Sequence, residues 1–195
     1  MPRPEAPHTA VTTDLSRCGW ATSAPEYIAY HDEEWGTPLH GEQALFERLA
    51  LEAFQSGLSW LIILRKRAAF RAAFAGFDVD AVAAFDDADV ARLLADAGIV
   101  RNRAKVEATI ANARAVRDAV PEGLDELLWS YAPTSHVRPR TLSDVRATSP
   151  ESVALAKALK KRGFRFVGPT TAYATMQATG MVDDHIATCW RATSR

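Results

Sequence analysis

EQALFERLALEAFQSGLSW, residues 42–60, decides the fold class. Leu45, Phe46, Leu49, Ala50, Ala53 and Phe54 recur at helical spacing, so 42–56 reads as an amphipathic helix with a core-facing stripe. Gly57 ends it, and Ser59 is placed to cap a second helix over 60–74. Toward the N-terminus, Ser23-Ala24-Pro25-Glu26 has capping-box spacing with Pro in the first turn and Gly36 is a stop, which predicts a helix over 27–35. Toward the C-terminus, helices are expected over 79–85, 88–97, 101–119, 124–131, 150–162, 169–179 and 184–190. No alternating stretch is long enough for a strand, and there is no internal repeat. The expected class is all-α.

The chain has 195 residues, 48% hydrophobic and 24% charged, which suits one soluble domain over 16–195, built as two helical lobes sharing a core. Residues 1–15 are Pro-rich and polar and are expected to be a flexible extension. No apolar run approaches the ~20 residues of a membrane span, and the N-terminus lacks a signal-like apolar stretch. A cytoplasmic protein without a membrane partner is expected. Two cysteines far apart in the chain argue against a disulfide framework. The net charge of −1 hides an uneven distribution. Residues 76–126 are predominantly acidic, whereas 138–165 carry Arg138, Arg140, Arg146, Lys157, Lys160, Lys161, Arg162 and Arg165 against Asp144 and Glu151. A second basic cluster is Arg65, Lys66, Arg67 and Arg71. Such lopsidedness suits an anion-facing side, although solvated helices read the same way.

Three constellations could carry chemistry. On a helix His185 and Cys189 share one face, and Cys18 with His31 could complete a tetrahedral site of two nitrogens and two sulfurs, a closed structural geometry for zinc. Spacing alone is a weak signal, and on it unrelated buried thiols and satisfied histidines are the favoured reading. Glu52 falls inside the apolar stripe of its own helix, where a carboxylate is costly unless paired, employed or at the stripe's edge. Trp60 and Tyr30 could wall a pocket around it, or simply pack. Finally, LLADAGIVRNRAKV, residues 93–106, places Gly98 between two helices, the second opening with Arg101, Arg103 and Lys105. That is the layout of a hairpin clamp on phosphate, or of a plain helical hairpin.

Together these residues resemble the type I 3-methyladenine DNA glycosylases of the helix-hairpin-helix superfamily. The resemblance is carried by RCGW (17–20), YIAYHDEEWG (27–36), LFERLALEAFQSGLSW (45–60), DAGIVRNRAK (96–105), LKKRGFRFVGPT (159–170) and MVDDHIATC (181–189). It implies a helix-hairpin-helix glycosylase fold with a zinc-clasped terminal region, one structural zinc on Cys18, His31, His185 and Cys189, and a base pocket formed by the catalytic Glu52 with Tyr30, Trp60 and Trp20. It also implies that Gly57 and Leu58 enter the duplex, and that Gly98, Arg101, Arg103 and Lys105 grip its backbone. The implied activity is base flipping and hydrolysis of the N-glycosidic bond in double-stranded alkylated DNA by a monomer, releasing free 3-methyladenine. Asn102 and Ala104 stand where the pattern suggests His and Gly. A non-catalytic DNA-binding module leaves Glu52 unexplained, and a metallohydrolase needs an open coordination position that four filled ligands deny. An iron-sulfur version needs four cysteines, and the chain has two.

Overall fold

The computed structural model describes residues 15–193, so the expected flexibility of the first residues falls outside the described part. Ten α-helices follow one another among the described residues: α1 (Pro25–Glu33), α2 (Glu42–Gln55), α3 (Trp60–Ala73), α4 (Val79–Ala83), α5 (Asp87–Ala95), α6 (Arg103–Ala119), α7 (Leu124–Trp129), α8 (Pro150–Lys161), α9 (Pro169–Ala178) and a last turn, α10 (Trp190–Thr193). There is no strand among the described residues.

Four helices start where a side chain at the N-cap satisfies their free amides, whereas Ser59 stands at the N-cap of α3 without a capping bond. Asp78 caps α4, Asp86 forms a capping box with Asp89 at α5, Asn102 accepts from the Lys105 amide at α6, and Ser149 pairs with Ser152 at α8. Two helices cap each other: the Asp125 carboxylate of α7 accepts from the Gly41 amide ahead of α2, while Glu42 of α2 accepts from the Leu124 amide. The Ser23 capping box does not form. Ala24 is the N-cap of α1, Pro25 supplies its first turn, and the Ser23 hydroxyl donates to the Trp20 carbonyl instead. Likewise α6 opens at Arg103, later than expected, because the Asn102 side chain takes the capping position.

α2 is the central element. Leu45, Phe46, Leu49 and Phe54 are almost fully buried and pack in one cluster with Ile63 and Phe70 of α3, Phe74 just after it, Val106 and Ile110 of α6, and Met176 of α9. A second, smaller cluster gathers Cys18, Tyr30, Trp35, Ala178 and Cys189, joining the two ends of the described chain.

Two further expectations fail here for identifiable reasons. Residues 184–190 are not a helix; α10 begins only at Trp190. The buried Asp184 carboxylate accepts from the Tyr173 hydroxyl (2.8 Å) and the Gln177 amide (2.7 Å) and also meets His136 Nε2 (2.9 Å), which draws the chain out along α9. Lys105, expected on phosphate, is buried, and its ammonium donates to the carbonyls of Phe54 (2.8 Å) and Ser56 (2.6 Å). It therefore caps the C-terminal end of α2, where carbonyls lack helical partners and the dipole favours a cation.

Replacing Lys105 with Met should cost about 1–3 kcal/mol of stability, because two inward-facing carbonyls lose a charged donor. Urea denaturation measures it; a variant as stable as the parent contradicts the cap.

Candidate functional site

A cleft of about 460 Å3 opens beside α2, lined by Trp20, Tyr27, Tyr30, Trp35, Glu52, Gln55, Trp60, Leu142, Val145, Ala174 and Gln177. Helical geometry builds its floor. Arg48, Glu52 and Gln55 stand at i, i+4 and i+7 of α2, so one polar stripe runs alongside the apolar one. Glu52 and Gln55 reach the cleft, and Arg48 lies behind it. The walls are aromatic: Tyr30 and Trp60 ring centroids are 5.4 Å apart, and Trp20 contacts both Tyr27 (5.7 Å) and Trp35 (5.1 Å) edge-on.

Glu52 is only 7% exposed and accepts no hydrogen bond among the described residues. Burial pushes its carboxyl up to about 7, against the opposing pull of the Arg48 guanidinium. The indole Nε1 of Trp60 is also buried without an acceptor. Buried polar groups are normally satisfied, so an acceptor and a donor left open at the same cleft mark a place for a ligand's polar edge. Flat aromatic walls with a carboxylate suit a planar cation.

The terminal expectation can be placed equally plainly. Cys18, His31 and Cys189 each offer one ligand atom, all within 4.8 Å of one another and all buried. The His185 ring lies 5.0 Å from that of His31, and its Nε2 is buried with no partner. The remaining nitrogens are held by carboxylates: His31 Nδ1 lies 2.8 Å from Asp32 and His185 Nδ1 2.8 Å from Asp183. Arg17 and Trp190 anchor Asp32, Arg138 anchors Asp183, and the Ile186 amide donates to Cys18 Sγ. Gly36 is required here, because a Cβ would stand 2.6 Å from His185 Cε1. A cluster of two thiols and two imidazoles with oriented second nitrogens is the donor set of a closed metal site.

At the far end of α2, Gly57 turns with φ +79° and is exposed, and Leu58 is half-buried beside it. The α5–α6 turn is strapped from below by Lys66, whose ammonium donates to the carbonyls of Ala97 (2.7 Å) and Gly98 (3.2 Å). Gly98 donates its amide to Asp96. Arg101 and Arg103 are exposed at the start of α6, Arg103 pairing with Glu107. Much of the basic sequence is internally committed: Arg65 to Glu26, Arg67 to Glu34, Arg71 to Glu47, Arg138 to Asp183 and Arg162 to Glu122.

Sequence reasoning did not single out Arg48, Gln55 or Gln177, and it read Lys66 only as part of a basic cluster facing an anion, whereas its ammonium is bound to the Ala97 and Gly98 carbonyls. Gln55 was findable from its spacing to Glu52, whereas the role of Arg48 depends on Tyr30 and Glu34 folding over it. Lys66 and Gln177 come from the tertiary packing and left no local signal.

Fold and cleft define an all-helical protein with an aromatic pocket floored by a buried acid. The chain belongs to the methyladenine glycosylase family, whose model matches residues 20–192. It is similar to the DNA-3-methyladenine glycosylase 1 of Escherichia coli (strain K12), 46% identical over 181 residues that span 90% of this chain and 96% of the relative. A crystal structure of a 3-methyladenine DNA glycosylase I aligns with TM-score 0.86 at 45% identity, covering 90% of this chain and 98% of that one. A second structure, of a variant of such an enzyme in complex with 3-methyladenine, aligns with TM-score 0.83 at 35% identity over 89% of this chain and 96% of that one.

The raised carboxyl of Glu52 has a consequence for stability. A folded-state value of about 7 above the ordinary 4.5 means the native protein holds this proton more tightly. Stability from this group is therefore intact below pH 4.5 and declines as pH rises to about 7, by roughly 3 kcal/mol at most. Glu52→Gln should remove that decline, so that its denaturation free energy overtakes the parent's between these pH values. Parallel curves would count against a buried, unpaired carboxyl.

Proposed function

We propose that the chain is a monofunctional DNA-3-methyladenine glycosylase, a cytoplasmic monomer of two helical lobes acting on double-stranded alkylated DNA. The observation that carries the reading is the buried carboxyl of Glu52, without a protein partner, at the floor of an aromatic cleft. Family membership supports it.

The chemistry of the lesion explains why so few reactive groups surround the cleft. Adenine methylated at N3 is cationic, so its glycosidic bond is weakened and the base departs neutral without a proton from the enzyme. What the enzyme supplies is extrusion and capture. Flipping costs a few kcal/mol, less for a damaged base, and is offset in the pocket. Trp60 stacks on the cationic ring, worth about 1–2 kcal/mol when desolvated. Glu52 accepts from the exocyclic amine, and its carboxylate favours the charged base over neutral adenine. The same charge stabilises the electron-poor sugar as the bond breaks, and water completes the hydrolysis, leaving an abasic site. No Schiff base forms at Lys105, because its ammonium is bound to two carbonyls.

DNA is held at the end of α2. Gly57 and Leu58 fill the gap left by the extruded nucleotide, and the α5–α6 turn acts as a helix-hairpin-helix clamp, with the α6 N-terminus, Arg101 and Arg103 on phosphate. Zinc is the metal that fits Cys18, His31, His185 and Cys189, and bound there it supplies cross-linking of the chain's two ends rather than reaction chemistry. These residues fix α1, and hence Tyr30, against α9.

Released bases from alkylated DNA identify the activity. Glu52→Gln should lower 3-methyladenine release at least a hundredfold with the fold retained, and a parental rate rules out the pocket assignment. For the metal, the protein should carry one zinc per chain by elemental analysis, and chelation should lower its melting temperature. Activity lost on chelation with stability unchanged contradicts a structural role.

A further inference from the structure

Arg48 precedes Glu52 by one turn of α2 and is 8% exposed. Its guanidinium stands behind the aromatic wall, 5.2 Å from the Tyr30 ring centroid and 5.9 Å from that of Trp60. One nitrogen donates to the Tyr30 hydroxyl at 2.9 Å and the other to Glu34 at 3.2 Å. Glu34 is in turn gripped by both terminal nitrogens of Arg67, at 2.6 and 2.8 Å. Arg48 is therefore fixed from two sides and has no freedom to enter the cleft.

A guanidinium has only donors, so the Tyr30 oxygen must accept from it. The single phenolic proton then points elsewhere, and no acceptor for it exists among the described residues. Tyr30 lines the cleft, so its proton is offered to whatever binds there. Glu52, on the same floor, presents an acceptor when ionised. A donor beside an acceptor matches the edge of adenine, which shows an acceptor nitrogen next to an amine; guanine shows two acceptors there.

We propose that Arg48 is a positioning and specificity residue of the pocket: it fixes Tyr30 as a donor and keeps Glu52 an acceptor, so that the site selects adenine-type over guanine-type lesions. This rests on the reading of the cleft as a base pocket. Few other charges face Glu52. Arg48 acts from α2 and Tyr30 from α1, while Trp60 of α3 and Gln177 and Ala174 of α9 bring none. Glu34 and Arg67 bear on Glu52 through Arg48. The Arg48 charge draws the Glu52 carboxyl down against its burial, which is the required direction. Without Arg48 a protonated Glu52 becomes a donor and accommodates the guanine carbonyl.

The test is release of 3-methyladenine and 3-methylguanine from alkylated DNA across pH, with the Glu52 carboxyl followed by carbon-13 NMR and assigned by its absence in Glu52→Gln. Arg48→Met should move the carboxyl midpoint, and that of kcat/KM, upward by about one pH unit. It should also lower the adenine-to-guanine ratio about tenfold. Arg48→Lys keeps a charge but not the fork, so it should restore the midpoint and leave the ratio low. Glu34→Gln leaves Arg48 less neutralised and should move the midpoint downward, a sign that general destabilisation does not give and a readout that survives if Arg48→Met fails to fold. Parental midpoint and ratio in Arg48→Met, or a lower melting temperature with neither changed, overturn the proposal alone. A wild-type protein that releases neither base defeats the pocket reading as well.

Discussion

The structure depends on one costly arrangement: α2 buries a carboxylate and a guanidinium on a helix whose other face is the hydrophobic core. Removing charge from water costs several kcal/mol per ion unless partners replace the water. Arg48 is repaid by Glu34, Tyr30 and two aromatic faces. Glu52 is not repaid by any hydrogen bond among the described residues. The protein carries that deficit, and a ligand with an amine and a positive charge relieves it. On the proposed reading, stability and selectivity are set against each other at one side chain.

The rest of the fold holds that helix in place at both ends. At its start, α2 and α7 cap one another through Glu42 and Asp125. At its end, Lys105 of α6 binds the final carbonyls and positions the exposed Gly57 turn. Lys66 ties the α5–α6 turn to α3, so the surface proposed to meet DNA is braced from within by lysines. On the opposite side, the cysteine and histidine cluster fixes the chain's two ends against α1, which carries Tyr30. Metal binding at such a cluster is folding energy, delivered one residue from a pocket wall.

Local pattern carried the helices well. The stripe from Leu45 to Phe54 depends on neighbours in sequence, and α2 through α9 lie within a residue or two of the helices that periodicity suggests, although the caps expected at Ser23 and Ser59 do not form. The segment around His185 did not follow, because Asp184 answers to Tyr173, Gln177 and His136 rather than to its own turn. Lys105 misled for the same reason: a lysine at a helix start looks like a phosphate contact until the end of another helix is packed against it. The cleft was half legible. Glu52 stood out as a charge in an apolar stripe, whereas Arg48 beside it looked like an ordinary helix surface residue. Its role is visible only once Tyr30 and Glu34 of the α1 region are folded over it.

The most direct measurement is a high-resolution structure of the wild-type protein bound to free 3-methyladenine. The account predicts the base stacked on Trp60 in the cleft, with the Glu52 carboxylate within hydrogen-bond distance of its exocyclic amine. A base bound outside this cleft, or one inside it that leaves Glu52 without contact, would contradict it.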